Sequence, residues 1–513
     1  MKNDKIKFSS LWPSLLAIAT LTLLNSCKKN FLDRDPQGQY TIEDYPYPGG
    51  SGPYDTYLFG AYSELRAYNV HSQFFIAATS IRSDDADKGS TAADGGADAL
   101  NMDNFPVLPA SSYNNGLWVG YYTLISKANI AIDQIRHNNA ITASAQQKAQ
   151  AEGEARFLRG YAYFMLVRFF GRVPLIDSVF TNAAAQSNVP QSPAATIYSF
   201  IETDLQYAAA NLPLSWDAKF AGRGTSGAAN GLLAKVYLTQ KKWTQAMAAA
   251  NIVINSGKYD LSTPYEKIFR EDGENSSESV FEVQATASAA VPTNYGVQYA
   301  QIMGVRGAGA WDLGWGWNTP STQLEAAYEA GDPRKARTIL YTSTATTAFQ
   351  TIYAETLPVG LPNPRYNNKV YTNPALRASY ANRYGYWMNI RILRYADVVL
   401  MYAEAANESG NATEALAKLE LVRKRARGTA TGILPQVTVT DPALLREAIR
   451  RERRIELAME HDRFFDLVRW GIAGATLQAA GKTNFNEARD VLLPIPQTQI
   501  DLSKGILTQN PGY

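Results

Sequence analysis

The chain lacks most of the residues that build covalent or metal-bound centres. It has one cysteine, Cys27, and three histidines, His71, His137 and His461, far apart in sequence. A single cysteine excludes a disulfide framework and a thiolate metal site, and the histidine spacing argues against an imidazole cluster. An excess of one charge is missing too, with 49 Lys and Arg against 47 Asp and Glu in 513 residues. Setting aside residues 1–26 removes three lysines and one aspartate and leaves a neutral mature chain. No basic stripe stands free of acidic neighbours, which excludes nucleic acid as a partner. Nothing in the sequence asks for a cofactor. The apolar run Leu11 to Leu24 is about 14 residues long, too short to span a bilayer.

What is present points elsewhere. Hydrophobic residues make up 46% of the chain, enough for a sizeable core, and 24 Pro with 36 Gly require long irregular connections. Thirty Tyr and nine Trp exceed what a core needs and suit a recognition surface. Residues 1–26 read as an export signal, with Lys2, Lys5 and Lys7 ahead of the apolar run. The run ends Leu23-Leu24-Asn25-Ser26-Cys27, which resembles a lipobox and implies that Cys27 is acylated as the first mature residue. More than one acyl chain is needed for stable anchoring.

Helical periodicity organises the remainder. Helix pairs are expected roughly over 53–137, 146–211, 226–256 and 391–426, with an irregular insertion at 258–391 and a C-terminal clasp and strap at 441–513. Ala234, Tyr237 and Ala246 fall at tetratricopeptide spacing, and Ala403 to Ala415 repeats the separation of Ala234 to Ala246. Within the insertion, ESVFEVQ (278–284) reads as a strand. The stretch EAIRRERRIELAMEHDRFFDLVRW (447–470) opens as a helix capped by Asp441-Pro442. Its charges pair at helical spacing, Glu447 with Arg451, Arg453 with Glu456, Arg463 with Asp466 and Asp466 with Arg469. Exposed pairs of this kind contribute only about 0.3–0.5 kcal/mol each. Their density beside Phe464, Phe465, Leu467 and Trp470 therefore predicts a half-buried internal clasp rather than a catalytic site.

GAGAWDLGWGWN (307–318) holds Trp311, Trp315 and Trp317. If it is extended, Trp315 and Trp317 share a face about 6.6 Å apart. Glycines between them let a flat ligand reach ring and backbone together. Sugar rings offer polarised C–H groups to such indole faces. Asp312, Asn318, Gln323 and Tyr295 are then candidates for the hydroxyls. The bland alternative is that the tryptophans plug the core beneath a long loop.

Arg453, Glu456, Leu457, Glu460, Arg463, Phe464, Asp466, Leu467, Arg469, Trp470 and Gly471 resemble the signature "ER..EL..EG.R..DL.RWG" of the SusD/RagB family, Bacteroidetes outer-membrane nutrient-binding lipoproteins. His461 departs from the family's glycine. Phe31-Leu32-Asp33, the "W...Y..I..AN" pattern beginning at Trp118 and the ending PIP…QNPGY (494–513) extend the resemblance over the mature chain. The resemblance implies a mainly all-α fold, one domain over 27–513, of tetratricopeptide-like helix pairs in a right-handed scaffold. It also implies a non-catalytic role, capturing oligosaccharide or another nutrient for a SusC-like TonB-dependent transporter. Arg82, Asp84 and Asp85, with Asp87 nearby, resemble the family position from which polar side chains reach the ligand. These acids could instead hold Ca²⁺, though a dedicated loop pattern is missing. A glycoside hydrolase using Glu325 and Glu329, or Asp84 and Asp85, and a purely protein-binding scaffold are the competing readings.

Overall fold

The computed structural model describes residues 50–513 apart from 181, 183–184 and 186–187. The export signal, Cys27 and Phe31-Leu32-Asp33 lie outside the described residues. Ten helices carry the frame: α1 (Asp55–Glu64), α2 (Ser112–His137), α3 (Ala145–Phe170), α4 (Ala194–Asn211), α5 (Ser226–Thr239), α6 (Trp243–Ile254), α7 (Tyr395–Glu408), α8 (Ala412–Arg427), α9 (Pro442–Glu456) and α10 (Arg463–Trp470). The fold is mainly helical, as the sequence leads one to expect.

Local chemistry sets the helix ends. The Ser144 hydroxyl and the Gln147 side chain form a capping box at the start of α3, and Gly171 ends it with φ of 71°. The Asp441 carboxylate accepts from the Ala443 and Leu444 amides ahead of α9, with Pro442 in the first turn. Successive helices then stack. α2 packs on α1 and α3, α3 on α4, α4 on α5, and α5 on α6. α6 packs on α7 across the long insertion, and α7 on α8 and α9. Ala234, Ala246, Ala403 and Ala415 are fully buried, which lets the paired helices approach closely.

Among the described residues eight short strands occur, β1 (Ala86–Gly89), β2 (Val173–Pro174), β3 (Gln191–Ser192), β4 (Ser279–Val283), β5 (Trp317–Pro320), β6 (Ile339–Tyr341), β7 (Arg365–Asn367) and β8 (Ile390–Arg394). They pair in antiparallel twos: β1 with β5, β2 with β3, β4 with β8 and β6 with β7. The β4–β8 ladder closes the stem of the insertion, and β1–β5 ties the segment after Arg82 to the tryptophan loop. The C-terminal strap is not wholly extended. It carries a helix at Gln497–Leu502 and docks on the end of α3, where Leu493 donates to the Phe169 carbonyl at 2.7 Å.

Glu452, Arg453, Glu456 and Asp466 of α9 and α10 are buried, and most of their partners are distant in sequence. Arg453 pairs with Asp397 (2.5 Å) and Asp466 (2.7 Å) rather than with Glu456. Glu456, with no exposed surface, receives Arg394 at 3.0 Å, Arg425 at 2.6 Å and Arg334 at 3.1 Å. Burial pushes its carboxyl up, but these three guanidiniums outweigh burial and hold it at about 2. Asp466–Arg469 forms at helical spacing as expected (2.8 Å), whereas Arg463 reaches Asp84 and Glu447 pairs with Arg450. Removing one member of such a cluster strands the others. Glu456→Gln is therefore expected to cost about 3–5 kcal/mol in urea unfolding. Glu447→Gln, at an exposed carboxylate, should stay within about 0.5 kcal/mol.

Candidate functional site

The tryptophan loop folds back on the short helix Tyr299–Met303. Trp315 donates its amide to the Gln301 carbonyl at 2.8 Å, Gly316 to Gly304 at 2.9 Å and Leu313 to Val305 at 3.0 Å. A Cβ on Gly314 would lie 2.4 Å from the Gln301 carbonyl oxygen, so this close return requires glycine. Gly316 then turns with φ of 70°, and extended backbone begins only at Trp317. The expectation that Trp315 and Trp317 form one shelf fails at that turn.

Trp317 is a core residue, 3% exposed, with its ring beneath Gly95 and the Lys88 ammonium 4.9 Å from the ring centroid. Asn318 is fully buried in the left-handed region (φ 55°), its amide nitrogen 3.1 Å from the Met303 sulfur. Neither meets solvent. Arg82, Asp84 and Asp85 are buried likewise. Arg82 is 1% exposed, with its guanidinium 4.1 Å from the Phe464 ring centroid and Nη2 donating to the Asp490 carbonyl at 2.5 Å. Asp84 is gripped by Arg463 (2.8 Å) and Arg454 (2.9 Å), and Asp85 by Arg454 (2.6 Å). These buried carboxylates answer the guanidiniums of the clasp instead of facing solvent. Gln323 is half-buried against the Ala480 carbonyl.

What stays at the surface is a rim on the insertion. Trp311 and Trp315 are half-buried, and Tyr295 is 53% exposed. Beside Trp311, the exposed Asp312 and Arg383 side chains lie 3.6 Å apart, Tyr384 donates to Asp312 at 3.3 Å, and Arg383 donates to the Gly309 carbonyl at 3.1 Å. Partial burial, then the Asp312 charge, raises the Tyr384 phenol. A chain of hydrogen bonds joins Val297, two residues after Tyr295, to Trp315. Val297 donates to the Tyr386 carbonyl (3.0 Å), the Tyr386 hydroxyl to the Gln301 side chain (2.6 Å), and the Gln301 carbonyl accepts from Trp315. Arg66 holds the Tyr295 carbonyl at 2.8 Å. Arg66, Arg383, Tyr384 and Tyr386 were not singled out from sequence, although the aromatic-glycine run RYGYW (383–387) repeats the character of the tryptophan loop. Indole faces edged by hydroxyl, amide and paired charges suit a polar ring with an apolar face.

Comparison with known proteins adds an independent line. The profile described as "SusD family" matches residues 277–513, and the one described as "Starch-binding associating with outer membrane" matches 61–238. The chain belongs to the SusD/RagB family. It is similar to SusD-like protein P2 of Formosa agariphila, at 29% identity over 88% of this chain and 91% of that one. It also resembles a SusD-like protein of Bacteroides ovatus, at 28% identity over 89% and 82%. Among solved structures, a laminarin binding SusD-like protein superposes with a TM-score of 0.76 at 28% identity, covering 90% of this chain and 99% of that one. Surface glycan-binding protein A from Bacteroides fluxus does so at 0.74 and 27%, covering 91% and 100%.

The family's glycine at position 461 now has a physical reason. His461 adopts φ of 74°, the left-handed region where a side chain costs about 1–2 kcal/mol. Its ring recovers contacts, with Nε2 2.6 Å from the Tyr299 hydroxyl and the Phe75 centroid 4.9 Å away. His71 packs on Phe75 at the same distance and bridges the Leu65 carbonyl (2.7 Å) and the Tyr161 hydroxyl (2.6 Å). Burial pushes His71 down to about 4 and His461 down to about 3. The unfolded chain protonates both near 6.5 and so binds more protons below that pH. Stability is thus full above pH 6.5 and falls on acidification towards 4, by about 1.4 kcal/mol per unit for each ring. Calorimetric melting temperature should fall between pH 7 and 5. His461→Asn tolerates the backbone without titrating and should flatten that fall.

Proposed function

We propose that this SusD-family chain is a cell-surface lipoprotein that binds glycan, performs no chemistry on it, and passes it to a partner TonB-dependent outer-membrane transporter. Trp315, Trp311 and Tyr295 form the stacking edge of the binding face. Asp312, Arg383 and Tyr384 supply its hydroxyl-directed groups. What supports this reading is the exposed ring surface of Trp311, Trp315 and Tyr295 on the insertion, in a chain whose structural likeness includes a laminarin binding protein. Anchoring through Cys27 is supported by the lipobox and by the family description of association with the outer membrane. Among the described residues no helix is long and apolar enough to cross a membrane.

A hydrolytic role fits poorly with Glu325 and Glu329. A glycosidase acid needs a raised pKa, whereas burial of Glu325 is outweighed by Tyr341, Lys335 and Arg365, and Arg423 draws Glu329 down. Both are held below the ordinary carboxylate value.

Laminarin is the first probe. Trp315→Ala should weaken laminarin binding in titration calorimetry about tenfold, in line with the roughly 1.4 kcal/mol a stacked ring supplies. Trp317→Ala should instead cost about 3–5 kcal/mol of stability in denaturant unfolding. Wild-type affinity in a Trp311→Ala/Trp315→Ala double variant would remove the rim from the binding face. Co-purification of a large outer-membrane barrel from native membranes is the expected sign of the transporter.

A further inference from the structure

Arg66, which holds the Tyr295 carbonyl, also lines a separate cleft of about 320 Å³. A second cleft of about 510 Å³ adjoins it, and the two share a wall made by residues 220–223 and Glu282. Both volumes are typical of small-molecule sites. Apart from Glu282 on β4, the wall belongs to the connection between α4 and α5, and a buried cation builds it. Arg223 is 6% exposed; it donates from Nε to Glu154 at 2.7 Å and from Nη2 to Glu154 and Asp55 at 2.6 Å. Its guanidinium carbon lies 4.6 Å from the Trp216 ring centroid, 5.3 Å from Phe220 and 5.5 Å from Phe59. The Trp216 indole is locked by donation to the Gly224 carbonyl at 2.8 Å. Phe59 is nevertheless 50% exposed, and Trp216 and Phe220 are half-buried. Three rings thus gather around one buried guanidinium and stay partly bare.

Two buried polar atoms on the shared wall have no hydrogen-bond partner, Arg223 Nη1 and Glu282 Oε1, the latter in an ion pair with Arg391 at 3.6 Å. One is a donor and the other an acceptor. The Arg223 group is a donor that a ligand hydroxyl can answer, and the partly bare rings beside it accept the C–H face of a sugar. We propose that these paired clefts are a second saccharide subsite, continuous through Arg66 with the Tyr295–Trp315 rim, so that a glycan chain of several units lies across both. This rests on the glycan-binding reading above. The concave shape, the partly bare rings and the Arg223 donor without a hydrogen-bond partner favour a hydroxylated ring over an apolar protein face.

The test measures the affinity of the mature protein for laminarin and for laminaritriose by titration calorimetry. Trp216→Ala/Phe220→Ala should weaken laminarin binding about tenfold and leave laminaritriose binding unchanged, whereas Trp315→Ala should weaken both. Phe59→Ala, on α1 rather than in the connecting loop, should weaken laminarin binding in the same sense without moving the melting temperature. Unchanged laminarin affinity in these variants overturns the subsite while leaving the Trp315 rim intact. Equal loss on both probes overturns it too, since the effect would then be on the rim. Absence of any saccharide binding by the wild-type protein overturns the glycan-binding reading, and the subsite with it.

Discussion

Glu456 has no exposed surface, yet it is a carboxylate held by three guanidiniums from three different parts of the chain. Arg394 comes from β8 at the stem of the insertion, Arg425 from α8, and Arg334 from the insertion itself. A buried charge without a partner costs several kcal/mol, so each of these segments has one acceptable position. The same constraint spreads outward. Arg394 and Arg425 also hold Glu278 beside β4, and Arg334 and Arg423 share Glu452. Lys369 of the insertion meets Glu460, and Arg454 and Arg463 take up Asp84 and Asp85. Lys235 of α5 and Arg453 of α9 meet on Asp397 of α7. The clasp is therefore the place where helical frame, insertion and the segment after Arg82 are fixed relative to one another. Such clusters add little net stability over apolar packing, and what they supply here is unique placement.

Placement matters because the insertion has little regular structure of its own. Its stem is one two-stranded ladder, and its interior is held by small clusters such as Val305, Leu313, Tyr366 and Tyr371. From the clasp a continuous path runs to the rim. His461 follows Glu460, its ring meets the Tyr299 hydroxyl, Tyr299 opens the short helix that carries Gln301, and Gln301 fixes Trp315 through its carbonyl and Tyr386 through its side chain. A left-handed residue at 461 lets the chain turn between α9 and α10 so that this contact is made.

The sequence makes some of this plain and hides the rest for identifiable reasons. The α9 cap, the buried alanines of the helix pairs and the β4 strand depend on spacing over a few residues, and spacing is what a sequence displays. The family signature makes the clasp visible as an entity. Its partners are not visible, because helical spacing suggests Arg453 with Glu456, whereas Arg453 turns to Asp397, 56 positions away. Asp84 and Asp85 look like solvated ligand-reaching acids until Arg454 and Arg463 arrive from nearly 400 positions on. Trp317 looks equivalent to Trp315 because alternation was carried through Gly316. The left-handed turn there, and the space that Gly95 leaves above the indole, are tertiary facts. The Arg223 cluster is concealed in the same way, since Phe59, Glu154 and Trp216 have no shared local pattern.

Burying one tryptophan and baring its neighbour are linked consequences of that turn. Trp317 fixes β5 against β1, and the anchored strand holds Trp315 at the end of a rigid lever instead of on a free loop, which lowers the ordering cost of binding. The charges around this edge are matched among themselves: Arg383 with Asp312, Arg306 with Asp94, and Arg365 with Glu325. A strongly charged ligand would have to break those pairs and would gain little from a chain with 49 Lys and Arg against 47 Asp and Glu. An uncharged ring, by contrast, can use the indole faces and the pairs' outer lone pairs and protons without disturbing them. Rigidity from buried charge and an approach surface with its charges balanced thus argue together for a neutral, hydroxyl-rich ligand.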